Sequence, residues 1–240
     1  MLWLRVSVTT HFAILGAVAP AVAIPRAVVL VLLALLHAGV ADAAGPLAAE
    51  TEMALGAADA PVTVVEYASM TCPHCARFHT DELPGIKAAF IDTGRVRLVF
   101  SEFPLDRLAL AASKMARCGG EERFFAFIGL LFEKQHEWAG DPDPIVALRR
   151  LAKVGGLGAS EFDACLVDEA LEKGILKTAL DASENHDVKS TPSFVINGEL
   201  LVGQLTAAKL AEIVTRLDHT SAAPEAESLW GQVVTFFETL

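Results

Sequence analysis

Thr71-Cys72-Pro73-His74-Cys75 constrains this chain more than any other segment. It follows Pro61-Val-Thr-Val-Val-Glu-Tyr-Ala68, a β-branched and almost wholly apolar run of the kind that forms a buried strand. Two cysteines separated by two residues, at the point where such a strand gives way to a helix, read as a redox dithiol. Cys72 falls at the helix N-cap and Pro73 at the first helical position, where the missing N–H costs nothing. A thiolate at Cys72 would face the first-turn N–H groups and the positive end of the helix dipole, and a protonated His74 would add to both effects. Each favours thiolate over thiol, and a stabilised thiolate makes the corresponding disulfide a stronger oxidant. Cys75 lies one turn further in and keeps a more ordinary thiol. Two other readings stay open from the residues alone: an inert structural disulfide, or half of a zinc site with His74 and His79 as the remaining pair.

The chain before this motif has its own character. Residues 12–40 are strongly apolar, and Arg26, the short run Ala27–Leu36 and the small residues Ala41 and Ala43 compose a secretory signal with cleavage expected after Ala43. An uncleaved membrane anchor is the alternative. Either way the remainder is expected to be exported into an oxidising compartment, the periplasm. Lys plus Arg number 19 against 30 Asp plus Glu, a net charge of −11, so the basic surface needed for nonspecific nucleic-acid binding is missing.

Beyond the dithiol, the pattern predicts a short strand near Glu52–Leu55, a helix from Pro73 towards Leu83 that Pro84 interrupts or ends, and a strand at Val96–Ser101. Helices are then expected over 108–117, 121–137, 144–153, 159–167 and 169–184. Ser193–Ile196 and Glu199–Val202 form a hairpin around Asn197-Gly198, because both turn residues accept positive φ. A helix at 206–217 and a tail helix within 225–240 complete the order. This is an α/β chain: two halves of a sheet flank an all-helical insertion.

The stretch Asp59–Ser69 followed by Cys72-Pro-His-Cys75, together with Ser190-Thr191-Pro192-Ser193-Phe-Val-Ile-Asn-Gly198, resembles the DsbA-like thiol–disulfide oxidoreductases, a branch of the thioredoxin superfamily with a helical insertion. The resemblance covers about residues 52–217. It implies a thioredoxin fold with an inserted all-helical domain. The segments are then 1–43 signal or anchor, 44–103 first half of the fold, 104–185 insertion, 186–218 second half and 219–240 tail helix. By resemblance, Cys72 is the exposed nucleophile, Cys75 the resolving thiol, and His74, behind Pro73, tunes the potential. Pro192 is a cis-proline facing the dithiol, and the Thr191 backbone pairs with substrate. A plain strand-entry proline is the alternative for Pro192. Thr191 stands before that proline where the best-known enterobacterial oxidase has a valine, although threonine occurs in other branches of the family. The resemblance further implies reduced exported polypeptides as substrates, a membrane quinone-linked partner for reoxidation, a monomer, and no metal or other dissociable cofactor. Members of the fold that act as reductases or isomerases, and non-catalytic thiol- or metal-binding modules, remain as competing readings.

Glu66 stands inside the first strand on the face of Val62 and Val64. If buried, its pKa is expected to rise and it could exchange protons with Cys75; if exposed, it simply marks where the strand leaves the sheet. Cys118 and Cys165, both in the helical block, are expected to pair in an oxidising compartment, the alternative being two buried free thiols. Phe124, Phe125, Phe127, Ile128, Leu131 and Phe132 crowd one helix and read as core rather than as a peptide groove. Leu229, Trp230, Val233, Phe236, Phe237 and Leu240 form an apolar stripe in the tail.

Overall fold

A computed structural model describes residues 47–219. The expected signal segment and tail helix lie outside the described residues. Five strands form one sheet in the order β1-β3-β2-β4-β5: β1 Met53–Leu55, β2 Val62–Ala68, β3 Val96–Glu102, β4 Ser193–Ile196 and β5 Glu199–Val202. β2 runs parallel to β3 and antiparallel to β4, placing Glu66 opposite Phe100 on one side and Phe194 on the other. Alternation along β2 buries Val62, Val64 and Glu66 together. The hairpin forms as expected, with Asn197 at φ 45° and Gly198 at φ 94°. The Asn197 side chain also bonds back to β2, accepting from Thr63 N at 2.8 Å and donating to Pro61 O at 3.2 Å.

Helix α1 begins at Pro73 and runs past Pro84, near which its α-helical hydrogen-bond register is interrupted but the helix does not end. The helix continues through four segments: Pro73–Arg77, a π-helical Phe78–Glu82, Leu83–Ile86, and a π-helical Lys87–Ile91. Leu83 N–H bonds to Phe78 O, five residues back, so Pro84 enters just where the hydrogen-bond register has shifted and its missing N–H is accommodated.

Six helices separate β3 from β4: α2 Arg107–Cys118, α3 Glu121–Glu133, α4 Gln135–Ala139, α5 Pro144–Val154, α6 Ala159–Leu166 and α7 Glu169–His186. A final helix, α8, spans 207–219. The expected single helix over 121–137 is two, broken at Lys134 (φ −99°, ψ 12°). The break frees the Leu131 carbonyl to accept from Trp138 Nε1 at 2.7 Å, and it turns the Gln135 amide inward. The Phe-rich face of α3 is core: Phe124, Phe127, Ile128, Leu131 and Phe132 are buried, with Phe125 packed against the same cluster. That cluster also contains Met53, Ala68, Cys72, Cys75 and Phe100, so the helical block and the dithiol end of the sheet share one core. A second cluster joins Val62, Val64 and Leu98 to Phe78 and Ile86 of α1 and Leu210 and Val214 of α8.

Candidate active site

Cys72 holds extended backbone (φ −78°, ψ 117°) at the α1 N-cap, with Pro73 in the first turn. Two side chains of the helical block secure this loop. Gln135 Nε2 donates to Met70 O at 2.8 Å and Cys72 O at 3.0 Å. Thr71 Oγ1 donates to Asp106 at 2.6 Å, and Asp106 itself caps α2 by accepting from Ala109 N at 2.7 Å. Across the site, Thr191–Pro192 is a cis peptide, placing the Thr191 carbonyl over the dithiol, where it accepts from the Cys72 thiol at 3.3 Å.

Both cysteines are free thiols, Cys72 at 5% exposure and Cys75 at 0%. Their ionisation is split. Cys72 is lowered to about 5, first by a hydrogen bond from the Cys75 thiol, then by the Thr191 side chain and the main-chain N–H groups of Cys75 and His74, with burial opposing. The Thr191 hydroxyl is buried and has no other hydrogen-bond partner among the described residues, so it is a free donor for a thiolate. The neutral Cys72 thiol makes no bond to the helix N–H groups, which become its partners only on ionisation. Cys75 is pushed strongly upwards by the same hydrogen bond, by burial and by the charge of Glu66.

His74 is exposed and its Nδ1 is hydrogen-bonded with the Arg77 guanidinium. The contact by which residue 74 reaches Cys72 is its main-chain N–H. Glu66 is wholly buried, which removes the reading of an exposed strand-end carboxylate. Its partner went unrecognised in the sequence: His79 Nε2 lies 3.0 Å from both carboxylate oxygens. His79 thus turns inward while His74 turns out, and the two do not converge as a zinc pair. Cys118 and Cys165 are disulfide-bonded, with Cα atoms 6.2 Å apart, so they are not free thiols. The bridge ties α2 to α6.

Fold and site together define a thioredoxin-fold dithiol protein with a helical insertion between β3 and β4. Comparison with known proteins gives the same class. The family profile described as thioredoxin matches residues 48–216, and the chain belongs to that family. Among solved structures, alpha-DsbA1 of Wolbachia pipientis superposes with a TM-score of 0.65 at 28% identity, over 71% of this chain and 92% of that one. Oxidised BdbD of Bacillus subtilis superposes at 0.61 with 27% identity, over 72% and 96%. The disulfide bond formation protein D of Bacillus subtilis is 30% identical over 155 residues, 61% of this chain and 68% of that protein. A Rickettsia bellii relative, whose name designates a protein-disulfide oxidoreductase, is 33% identical over 150 residues; the match covers 62% of this chain and 58% of the relative's length. The chain is accordingly DsbA-like within its family.

Proposed function

We propose that this chain is a thiol–disulfide oxidoreductase that introduces disulfides into exported polypeptides in the periplasm. The observation that carries the reading is the split between Cys72, lowered to about 5, and its raised neighbour Cys75. A pair so divided has a strongly preferred leaving group and a stabilised reduced form, which are the properties of an oxidant.

In this scheme a substrate thiolate attacks Cys72 of the Cys72–Cys75 disulfide. A substrate–Cys72 bond forms, the Cys72–Cys75 bond breaks, and Cys75 leaves as a thiolate that takes up a proton. A second substrate thiolate attacks the substrate sulfur of this mixed disulfide, closing the substrate disulfide and releasing Cys72 as the stable thiolate. Two electrons have passed from substrate to enzyme, and a membrane quinone-linked partner removes them. The Thr191 main chain lies beside Cys72 and offers a β-type contact to the substrate backbone. Glu66, whose charge acts on Cys75, serves the proton that Cys75 gains and loses.

Equilibration with glutathione buffers, combined with oxidation of a dithiol peptide and reduction of insulin, tests the proposal. The expected outcome is rapid peptide oxidation, little insulin reduction, and a potential well above that of a thioredoxin-type reductant, about −270 mV. A potential at or below that value would assign the chain to the reductants instead.

A further inference from the structure

We infer that His79 is a positioning residue that acts through Glu66, the two forming a buried couple that supplies the proton taken up by Cys75 when the enzyme disulfide opens. The inference rests on the oxidoreductase reading above and adds to it a residue outside the dithiol motif.

The geometry is specific. Nε2 of His79 lies 3.0 Å from Oε1 and 3.0 Å from Oε2 of Glu66, with side-chain exposures of 5% and 0%. A carboxylate buried so completely is costly without a partner, and among the described residues this imidazole is its only ion-pair or hydrogen-bond partner. Three aromatic rings from the surrounding elements pack on the imidazole. Phe132 of α3 lies at 4.3 Å between ring centroids, Phe100 of β3 at 5.8 Å and Phe78 of α1 at 5.5 Å. Cys75 precedes His79 by four residues on the same buried side of α1, and the Glu66 charge acts on it directly. The low exposure of both side chains leaves the couple as the proton source at hand for this thiolate.

The residue type fits the task. An arginine would hold Glu66 equally well but could not release its proton, whereas imidazole does so near neutral pH. The scheme loads the couple, in the disulfide state, with one proton and no net charge. Opening of the disulfide creates the Cys75 thiolate; one proton moves from the couple to that sulfur, leaving a thiol and a neutral imidazole. The buried unit of three groups carries one negative charge before and after the transfer. On reoxidation the proton returns to the couple as Cys75 attacks.

Full-length protein carrying His79→Gln or His79→Leu, with folding verified by thermal melting, is compared with the wild type in single-turnover oxidation of a dithiol peptide from pH 5 to 9. Loss of the proton source is expected to slow the step at least ~10-fold and to flatten its pH profile, consistent with general acid–base contributions of this kind. The ultraviolet titration of Cys72 is expected to stay unchanged, because His79 does not touch that sulfur. A second measurement uses the wild type alone: the ¹⁵N shifts of the His79 ring should differ between oxidised and reduced protein, and should lose that difference in Cys75→Ala. Folded variants with the wild-type profile, or ring shifts indifferent to the redox state, overturn the inference. If the wild type fails to oxidise the peptide, the oxidase reading falls while the redox-linked shift still decides the role of His79.

Discussion

Gln135 and Cys72 are joined across 63 residues of sequence by a 3.0 Å hydrogen bond from the side-chain amide to the main-chain carbonyl. The same amide holds Met70 O, so one buried side chain of the helical block sets the path of the loop that delivers the nucleophile. Gln135→Ala leaves the Met70 carbonyl without this donor. The expected cost is about 1–3 kcal/mol in denaturant unfolding, with slower peptide oxidation. Unchanged stability and rate would show that the loop is fixed by the sheet alone.

The split ionisation of the dithiol predicts a pH dependence in two regimes. Above the Cys72 value of about 5, reduction takes up one proton with two electrons, and the potential should fall by ~30 mV per pH unit. Below it the uptake is two protons and the slope should double. The stability of the reduced protein follows the same ionisation. The folded pKa lies below that of an ordinary thiol, so the stabilisation is complete above the ordinary thiol range and is lost as pH falls through about 5. Glutathione equilibration and urea unfolding between pH 4 and 9 measure both.

Thr191→Val removes the buried hydroxyl that stands free to bond the Cys72 thiolate, while preserving side-chain shape and the Thr191 carbonyl. A hydrogen bond to a charged group contributes about 1.5–3 kcal/mol, so the thiolate pKa should rise by roughly one unit or somewhat more. Absorbance near 240 nm during titration of the reduced protein reads this directly; a pKa that does not rise would mean the hydroxyl is not a donor to the thiolate.

Replacing both Cys118 and Cys165 by alanine opens a 47-residue loop. The loop-entropy estimate for such a bridge is about 4 kcal/mol, seen as a lower melting temperature. Peptide oxidation should persist at temperatures where the variant remains folded, since the bridge joins α2 to α6 and not the dithiol loop. Loss of activity in the folded variant would assign the bridge a redox role.

What the sequence revealed depended on whether the determining partner was local. The Asn197-Gly198 turn and the Cys72–Pro73 helix start are dictated by neighbouring residues, and both are visible in the sequence. The continuation of α1 through Pro84 and the break at Lys134 depend on a shifted hydrogen-bond register and on the distant carbonyls that Gln135 satisfies. His79 was legible only as half of a histidine pair with zinc-like spacing. Its actual partner, Glu66, is brought opposite by packing α1 on β2. The spacing of Cys75, Phe78 and His79 along one buried face was the available signal.

The contact between Cys72 and Thr191 spans 119 residues, and Thr63 bonds to Asn197 across 134. Pairings this remote close late, because loop-closure entropy must be overcome before they contribute. A chain emerging from its N-terminus therefore presents Cys72 and Cys75 long before the carbonyl and hydroxyl of Thr191 arrive. Until β4 docks on β2, the nucleophile lacks part of the environment that lowers its pKa. Full reactivity is thus a late-acquired property of the molecule: a newly made chain stays a poor thiol exchanger until its C-terminal hairpin is in place.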